Sequence, residues 1–191
     1  MKRGVSVPLN SNSRKSSAHD IVMTSMMTAL MAVCSWISIP SAVPFTLQTF
    51  AVFCAVSLLG GRRSLFSIAS YLFIGAIGVP VFSGFTGGVG VILGTHGGYI
   101  IGFIFIALIF WCAEKLPVRN TFITVLSMIV GLIVMYIFGT LWFVLIYTGK
   151  TGDITLFQAL KWCVIPFIIP DLIKLFLALA ITKRLKKTVS L

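Results

Sequence analysis

The chain has 191 residues, of which 58% are hydrophobic and only 10% are charged, and its formal net charge is +11. A soluble domain carries about 25% charged residues, so this composition excludes an ordinary soluble domain and predicts a surface that faces lipid. The basic residues form short clusters between apolar runs, which is typical of the cytoplasmic loops of a membrane protein. No basic face with interleaved aromatic residues is visible, which excludes nucleic acid as a partner.

The first 19 residues are polar and precede a long apolar run that has no clear small-residue cleavage site. This pattern is not that of a secretory signal. We therefore predict a polar cytoplasmic tail over 1–19, a transmembrane domain over 20–187 and a short C-terminal tail over 188–191.

Uncharged stretches, divided at prolines and at a glycine-rich segment, predict six transmembrane helices. A helix needs roughly 17–25 apolar residues to cross a bilayer. The predicted spans are, in chain order, 21–39, 45–60, 64–81, 97–113, 121–147 and 163–182. The second, third and fourth are close to the lower limit, which leaves five helices as an alternative.

The distribution of Lys and Arg tests this number. If the N-terminus is inside, six helices place twelve of the 15 basic residues on the inner side and only Lys150 and Lys161 on the outer side. Lys174 then lies within the last span. The asymmetry favours an all-α membrane protein with six transmembrane helices and both termini in the cytoplasm. The segment 84–103, GFTGGVGVILGTHGGYIIGF, then links the third and fourth helices at the outer face.

Two charged residues interrupt the last predicted span. Asp171 and Lys174 are three residues apart, so they share one face of a helix and are close enough to interact. They can serve to neutralise each other, but ionisable residues inside a membrane usually mark a functional site. We therefore predict a ligand-binding role for both. Pro170, directly before them, predicts a kink or a new helix start whose free N–H groups face a cavity.

Small residues recur at helical spacing in two places. Gly94, Gly98 and Gly102 follow one another every four residues, which predicts a ridge that lets another helix approach closely. Ser25 and Ala29 form a second such pair on the first helix. That pair serves either internal packing or the docking of a partner membrane protein.

The residues that usually carry catalysis or bind metals are sparse. His96 has no second His, Cys or carboxylate near it in sequence, so no metal site is predicted. This side chain is either a hydrogen-bond donor at the mouth of a cavity or an ordinary loop histidine. No catalytic set can be assembled, so the chain is not expected to be an enzyme. The cysteines show no CxxC spacing and are predicted to be small buried hydrophobic residues: Cys34, Cys54, Cys112 and Cys163.

Four stretches together carry a resemblance to a known family: VPFTLQTFAVF (43–53), LLGGRR (58–63), GVPVFSGFTGGVGVILGTHGGYIIGF (78–103) and PDLIK (170–174). Over residues 20–187 the chain resembles the BioY family, the biotin-binding S components of energy-coupling factor (ECF) transporters. One difference is Gly94-Thr95-His96, where the family usually has Gly-Pro-Thr or Gly-Pro-Ser. The change predicts a looser or pH-sensitive loop.

The resemblance implies a six-helix bundle in the bacterial inner membrane that binds biotin near the outer face and delivers it to the cytoplasm. No cofactor is implied, since biotin is the transported ligand. The implied partners are a transmembrane coupling protein and two cytoplasmic ATPases that drive transport. Ser25 and Ala29 would contact the coupling protein.

The resemblance also implies roles at the ligand site. Asp171 is a candidate acceptor for the ureido N–H groups of biotin, and Lys174 is a candidate partner for its carboxylate or its carbonyl; which ligand group meets which residue stays open. Backbone N–H groups would come from Gly87, Gly88 and Gly97. Side-chain contacts would come from Gln48, Thr86, His96 and Tyr99, and apolar walls from Phe82, Phe85 and Tyr99.

Three alternatives accompany this interpretation. The chain could be an S component for another vitamin or for a biotin precursor. It could be a membrane-embedded transferase that uses Asp171 as a base, or a passive channel.

Overall fold

The computed structural model describes residues 11–39, 44–117, 120–150 and 152–188, except for the side chains of 11–17 and 150. Their fold is a helical bundle with one small antiparallel strand pair, Ser38–Ile39 (β1) and Phe45–Thr46 (β2). The helices are α1 (Ser11–Trp36), α2 (Gln48–Leu59), α3 (Gly61–Ala76), α4 (Val89–Ile92), α5 (Gly97–Glu114), α6 (Thr121–Lys150), α7 (Leu156–Cys163) and α8 (Ile165–Thr188).

The six longest helices occupy the positions of the six predicted spans. Helix α5 begins at Gly97, as the glycine spacing predicts. Helix α1 begins at Ser11, so its first nine residues lie in the segment predicted as a tail. The short helix α4 lies where the sequence predicts only a connecting segment, and α7 does so except for its last residue. The strand pair lies at the adjoining ends of the first two predicted spans, 21–39 and 45–60, so the helical prediction is wrong there.

Within the described residues, four helical stretches are long and apolar enough to cross a membrane. They are Ala18–Trp36, Gly97–Glu114, Thr121–Gly149 and Leu156–Thr188, the last of which spans both α7 and α8. Helix α2 is also apolar but has only 12 residues. The chain is therefore a helical membrane protein with at least these four candidate spans.

Glycines allow α5 and α6 to pack closely. A Cβ atom on Gly98 would collide with the Trp142 side chain, and one on Gly102 would collide with Met135. The same interface places Gly139 of α6 against the ring of Tyr99. The predicted small-residue ridge is therefore confirmed at Gly98 and Gly102. Gly94 lies in the preceding loop, where its carbonyl accepts a hydrogen bond from Trp142 Nε1 at 2.9 Å.

Of the two alternatives predicted at Pro170, a kink or a new helix start, the new start is wrong. Pro170 lies inside α8, and the break is six residues earlier, at Val164, which has φ −124° and separates α7 from α8. Pro170 is the sixth residue of α8, where it supplies no N–H group to the helix, and such a position favours a kink. No new helix start at Pro170 offers backbone N–H groups to a cavity.

The pair predicted to dock a partner lies on an open face of α1. Ser25 and Ala29 are both exposed. They line a groove of about 340 Å³ whose other side includes Ser70 and Ile74 of α3. An exposed position does not support internal packing as the role of this pair.

Candidate functional site

A cavity of about 370 Å³ lies where the strand pair, the 82–96 loop and helices α2, α5, α6 and α8 meet. Its volume falls within the range of small-molecule sites, which are mostly apolar with a few placed polar groups. The lining includes predicted site residues from four separate parts of the chain, α2, the 82–96 loop, α5 and α8: Gln48, Thr86, His96, Tyr99, Asp171 and Lys174. The fold therefore brings together side chains that are up to 126 positions apart in sequence.

The ion pair predicted on the last helix is present and buried. Lys174 Nζ lies 2.8 Å from Asp171 Oδ1, and the residues are 5% and 2% exposed. An unpaired charge at this depth would lose its hydration without compensation, whereas the close pair recovers part of that cost. The two residues thus form a single dipolar unit in the wall of the cavity.

Two further residues bind the Asp171 carboxylate, and no local pattern in the sequence marks either of them as a site residue. Thr49 Oγ1 donates to Asp171 Oδ1 at 2.8 Å, and Tyr136 Oη donates to Asp171 Oδ2 at 2.6 Å. With Lys174, these donors occupy three of the roughly four acceptor positions of a carboxylate. Asp171 therefore retains capacity for one more hydrogen bond, and the residue lines the cavity.

Lys174 has a fuller set of partners. Its ammonium donates to the Thr46 carbonyl at 2.6 Å, to Thr49 Oγ1 at 3.1 Å and to Asp171 Oδ1. An ammonium has three donors, so none is left over. The Nζ atom also lies 4.2 Å from the centre of the Phe45 ring, a cation–π contact. A ligand can hydrogen-bond to Lys174 only by replacing one of these partners.

The strand pair has a clear role in this arrangement. It places the Thr46 carbonyl against Lys174, while Pro44 and Thr46 line the cavity. A backbone carbonyl carries no signal in the sequence, so this contact could not be found from residue types.

Gln48 and Tyr99 are held by neighbouring hydroxyl groups. Gln48 Nε2 donates to Tyr71 Oη at 2.7 Å, and Tyr71 Oη donates to the Val81 carbonyl at 2.9 Å. The Tyr99 and Thr140 hydroxyls lie 3.0 Å apart. These bonds fix the orientation of both cavity-lining side chains before any ligand arrives. Thr86 is more exposed, and its hydroxyl donates to the Ser83 carbonyl at 2.9 Å.

His96 has an unusual position in the cavity wall. Its Nδ1 atom is buried and has no hydrogen-bond partner among the described residues. The ring stacks on Phe143, with 6.3 Å between ring centres. Burial lowers the pKa of the imidazole below its ordinary value of 6.5. A buried nitrogen without a partner is costly, so this atom fits a ligand contact better than an ordinary loop position.

The glycines predicted to donate backbone N–H groups are used differently. The Gly88 N–H donates to the Gly75 carbonyl at 2.7 Å, and the Gly97 N–H donates to the Gly94 carbonyl at 3.1 Å. A Cβ atom on Gly87 would collide with the Val79 carbonyl, and one on Gly97 with the Ile92 carbonyl. None of the three lines the cavity. They shape the loop around the site, so their predicted role as ligand donors is not supported.

Two other expectations need correction. Phe82 lines the cavity as predicted, but Phe85 does not. Phe85 is exposed and has a backbone φ of 57°. Its ring stacks on Trp36, with 5.1 Å between ring centres. Cys112 is exposed, whereas the other three cysteines are buried, and Cys163 lines the cavity.

Comparisons with known proteins agree with the resemblance seen in the sequence. The model of the BioY family matches residues 9–191. The biotin transporter BioY of Thermotoga maritima is 41% identical over 170 residues, which cover 87% of this chain and 95% of the relative. The probable biotin transporter BioY of Pyrococcus horikoshii is 36% identical, with 88% and 97% covered.

A solved structure has the same fold. It is the crystal structure of the S-component for biotin from an ECF-type ABC transporter, which matches with a TM-score of 0.79 and 28% sequence identity. The match covers 94% of this chain and 95% of the solved chain. The family match over nearly the whole sequence, the relatives above 30% identity and the common fold lead to one conclusion: the chain belongs to the BioY family.

Proposed function

We propose that the chain is the biotin-binding S component of an ECF-type vitamin importer. The observation that carries the proposal is the buried Asp171–Lys174 pair in the wall of a 370 Å³ cavity. Its relatives are named biotin transporters, and a biotin S component has the same fold. The chain is a member of a family of transport proteins and is not an enzyme.

The chemistry of the cavity suits biotin, which has a ureido ring, an apolar sulfur ring and a carboxylate tail. The remaining acceptor position of Asp171 matches a ureido N–H group. Apolar side chains such as Phe82, Ile100 and Phe167 line other parts of the cavity and suit the sulfur ring. The unpartnered Nδ1 atom of His96 provides a further polar contact. Lys174 first serves to neutralise and hold Asp171, since its three donors are already used.

We further propose six membrane crossings with both termini in the cytoplasm of a bacterial cell and the protein in its inner membrane. Helices of 12 to 30 residues occur at the positions of the predicted spans among the described residues, and four helical stretches are long and apolar enough to cross a membrane. The asymmetry in Lys and Arg supports this orientation, which places the biotin cavity toward the outer face.

The proposed partners are a transmembrane coupling protein and two cytoplasmic ATPases. The chain does not carry a phosphate-binding loop of its own around Gly149-Lys150-Thr151, since Val144 stands where that motif needs glycine. We expect Ala29→Phe to reduce co-purification with the coupling protein and to leave biotin binding unchanged. Val33→Phe, which changes an exposed residue of α1 outside the groove, is the control.

Titration calorimetry of the purified chain with biotin tests the proposal directly. We expect one site per chain with submicromolar affinity. Competition with dethiobiotin, thiamine and riboflavin identifies the preferred ligand. Tighter binding of any competitor would reassign the chain to another vitamin or to a biotin precursor. Ligand-independent flux in liposomes would instead indicate a channel.

A further inference from the structure

A second large cavity lies at the opposite end of the bundle from the biotin site. It has a volume of about 690 Å³ and is formed where α2 and α5 end, α6 begins and the last turns of α8 pass. We call it the lysine cleft, after Lys183 and Lys186 at its rim. Nothing in the proposed transport of biotin uses this cleft.

Positive charge predominates at the rim of the lysine cleft. Lys183 and Lys186 are exposed, and neither forms an ion pair within the described residues. The N-terminus of the 30-residue helix α6 lines the same rim and adds a partial positive charge. Glu114 is the one carboxylate in the lining, and its Oε2 atom accepts a hydrogen bond from the Gly61 N–H at 2.9 Å.

The interior of the lysine cleft has a different character. Leu58, Phe110, Ile123 and Leu179 contribute apolar surface. The hydroxyl groups of Ser57, Thr124, Ser127 and Thr182 in the wall are bonded to one another or to the backbone. Ser57 and Thr182 hydroxyls, for example, lie 2.7 Å apart. The cleft therefore combines an apolar interior with a cationic rim.

We propose that the lysine cleft binds an anionic phospholipid, with the phosphodiester at Lys183, Lys186 and the start of α6. One acyl chain lies against the apolar interior. Basic pockets between transmembrane helices on the cytoplasmic side are known to bind acidic headgroups. A lipid matches the lining better than a free anion does, because a free anion would leave the apolar interior exposed to water.

Native mass spectrometry of the full chain in detergent tests this proposal. The probes are phosphatidylglycerol, phosphatidylcholine with the same acyl chains, and glycerol 3-phosphate. We expect phosphatidylglycerol to bind about tenfold or more tightly than phosphatidylcholine, since each basic residue near an acidic headgroup contributes about 1 kcal/mol. Glycerol 3-phosphate is expected to bind weakly because it lacks acyl chains.

Matched double variants locate the site. Lys183→Gln with Lys186→Gln should lower the affinity for phosphatidylglycerol to about the affinity for phosphatidylcholine. Arg184→Gln with Lys187→Gln removes the same charge from the same helix but outside the cleft, and should retain the preference. Thr124 is half-buried in the lining of the cleft. Thr124→Trp should fill the interior and weaken the binding of both lipids. Melting temperature and gel filtration confirm that each variant is folded.

Several results would overturn the proposal. Equal losses in the two double variants would show that the basic surface attracts lipid diffusely. Equal binding of both lipids, or tight binding of glycerol 3-phosphate, would exclude a lipid headgroup site. If no lipid binds but the Lys183 and Lys186 changes prevent co-purification with the coupling protein, the cleft is a protein interface.

Discussion

Tyr136 of α6 donates a hydrogen bond of 2.6 Å to Oδ2 of Asp171 on α8. The two residues are 35 positions apart in sequence, and their contact joins two helices. It fixes one oxygen of the carboxylate at the cavity wall. The other oxygen is held by Thr49 and Lys174. The orientation of Asp171 is thus determined by residues of three different helices.

Removing the Tyr136 hydroxyl should weaken biotin binding. A hydrogen bond to a charged group contributes about 1.5–3 kcal/mol, so we expect Tyr136→Phe to raise Kd by about tenfold to a hundredfold. Calorimetry measures the change. Tyr147→Phe is the matched control, because Tyr147 lies on the same helix outside the cavity lining, where it stacks on Phe143 and meets Trp162 edge-on. Equal effects of the two changes would contradict the assigned role of Tyr136.

Breaking the buried ion pair should cost both stability and binding. Asp171→Asn or Lys174→Ala leaves one buried charge without its partner, which typically destabilises by about 3–5 kcal/mol. Biotin binding should fall below detection in both. Thermal unfolding and calorimetry measure the two effects.

The double change Asp171→Asn with Lys174→Met separates stability from function. It removes both charges, so most of the lost stability should return. Biotin binding should remain absent, because the Asp171 acceptor is no longer charged. Recovery of binding in the double variant would show that the pair serves only packing.

The titration of His96 predicts a pH dependence with a definite sign. Burial lowers its pKa in the folded chain below the ordinary value of 6.5, so the folded state prefers the neutral ring. The associated stability is fully present above that value and is lost as the pH falls toward the lower folded pKa. The melting temperature should be constant from about pH 8 to about 6.5 and fall toward about pH 5.5.

The control for this effect is the other histidine. His96→Gln should reduce the acid-dependent part of the fall, and His19→Gln, at an exposed position of α1 outside the cavity lining, is the matched control. Biotin affinity should also vary little above about pH 6.5. A strong change in affinity between about pH 7 and about pH 8 would exclude the neutral imidazole as the working form.

The close packing of α5 on α6 can be tested with a single methyl group. Gly98→Ala places a Cβ atom into the Trp142 side chain, and overpacking of this kind costs about 1–3 kcal/mol. Gly149→Ala, in α6, meets no atom within 4 Å and should be neutral or slightly stabilising, since alanine favours a helix. Thermal unfolding of both variants measures the difference. Equal melting temperatures would contradict the predicted contact.

Much of the helical framework was predictable from local sequence. Hydropathy and charge are properties of consecutive residues, so they located the four candidate membrane spans of the described residues and the Asp171–Lys174 pair. The spacing of Gly98 and Gly102 predicted the packing of α5, because a helix repeats on one face every three to four residues. These features depend on separations of at most a few turns.

The tertiary structure alone decided how the site is completed. Thr49 and Tyr136 are 122 and 35 positions from Asp171, and the Thr46 carbonyl is 128 positions from Lys174. No local pattern marks a backbone carbonyl, or one threonine among many, as a partner of a distant charge. The folded loop also assigned the N–H groups of Gly88 and Gly97 to other carbonyls. A buried charge reveals in the sequence that partners must exist, but only the packing of the helices brings particular groups within hydrogen-bonding distance of it.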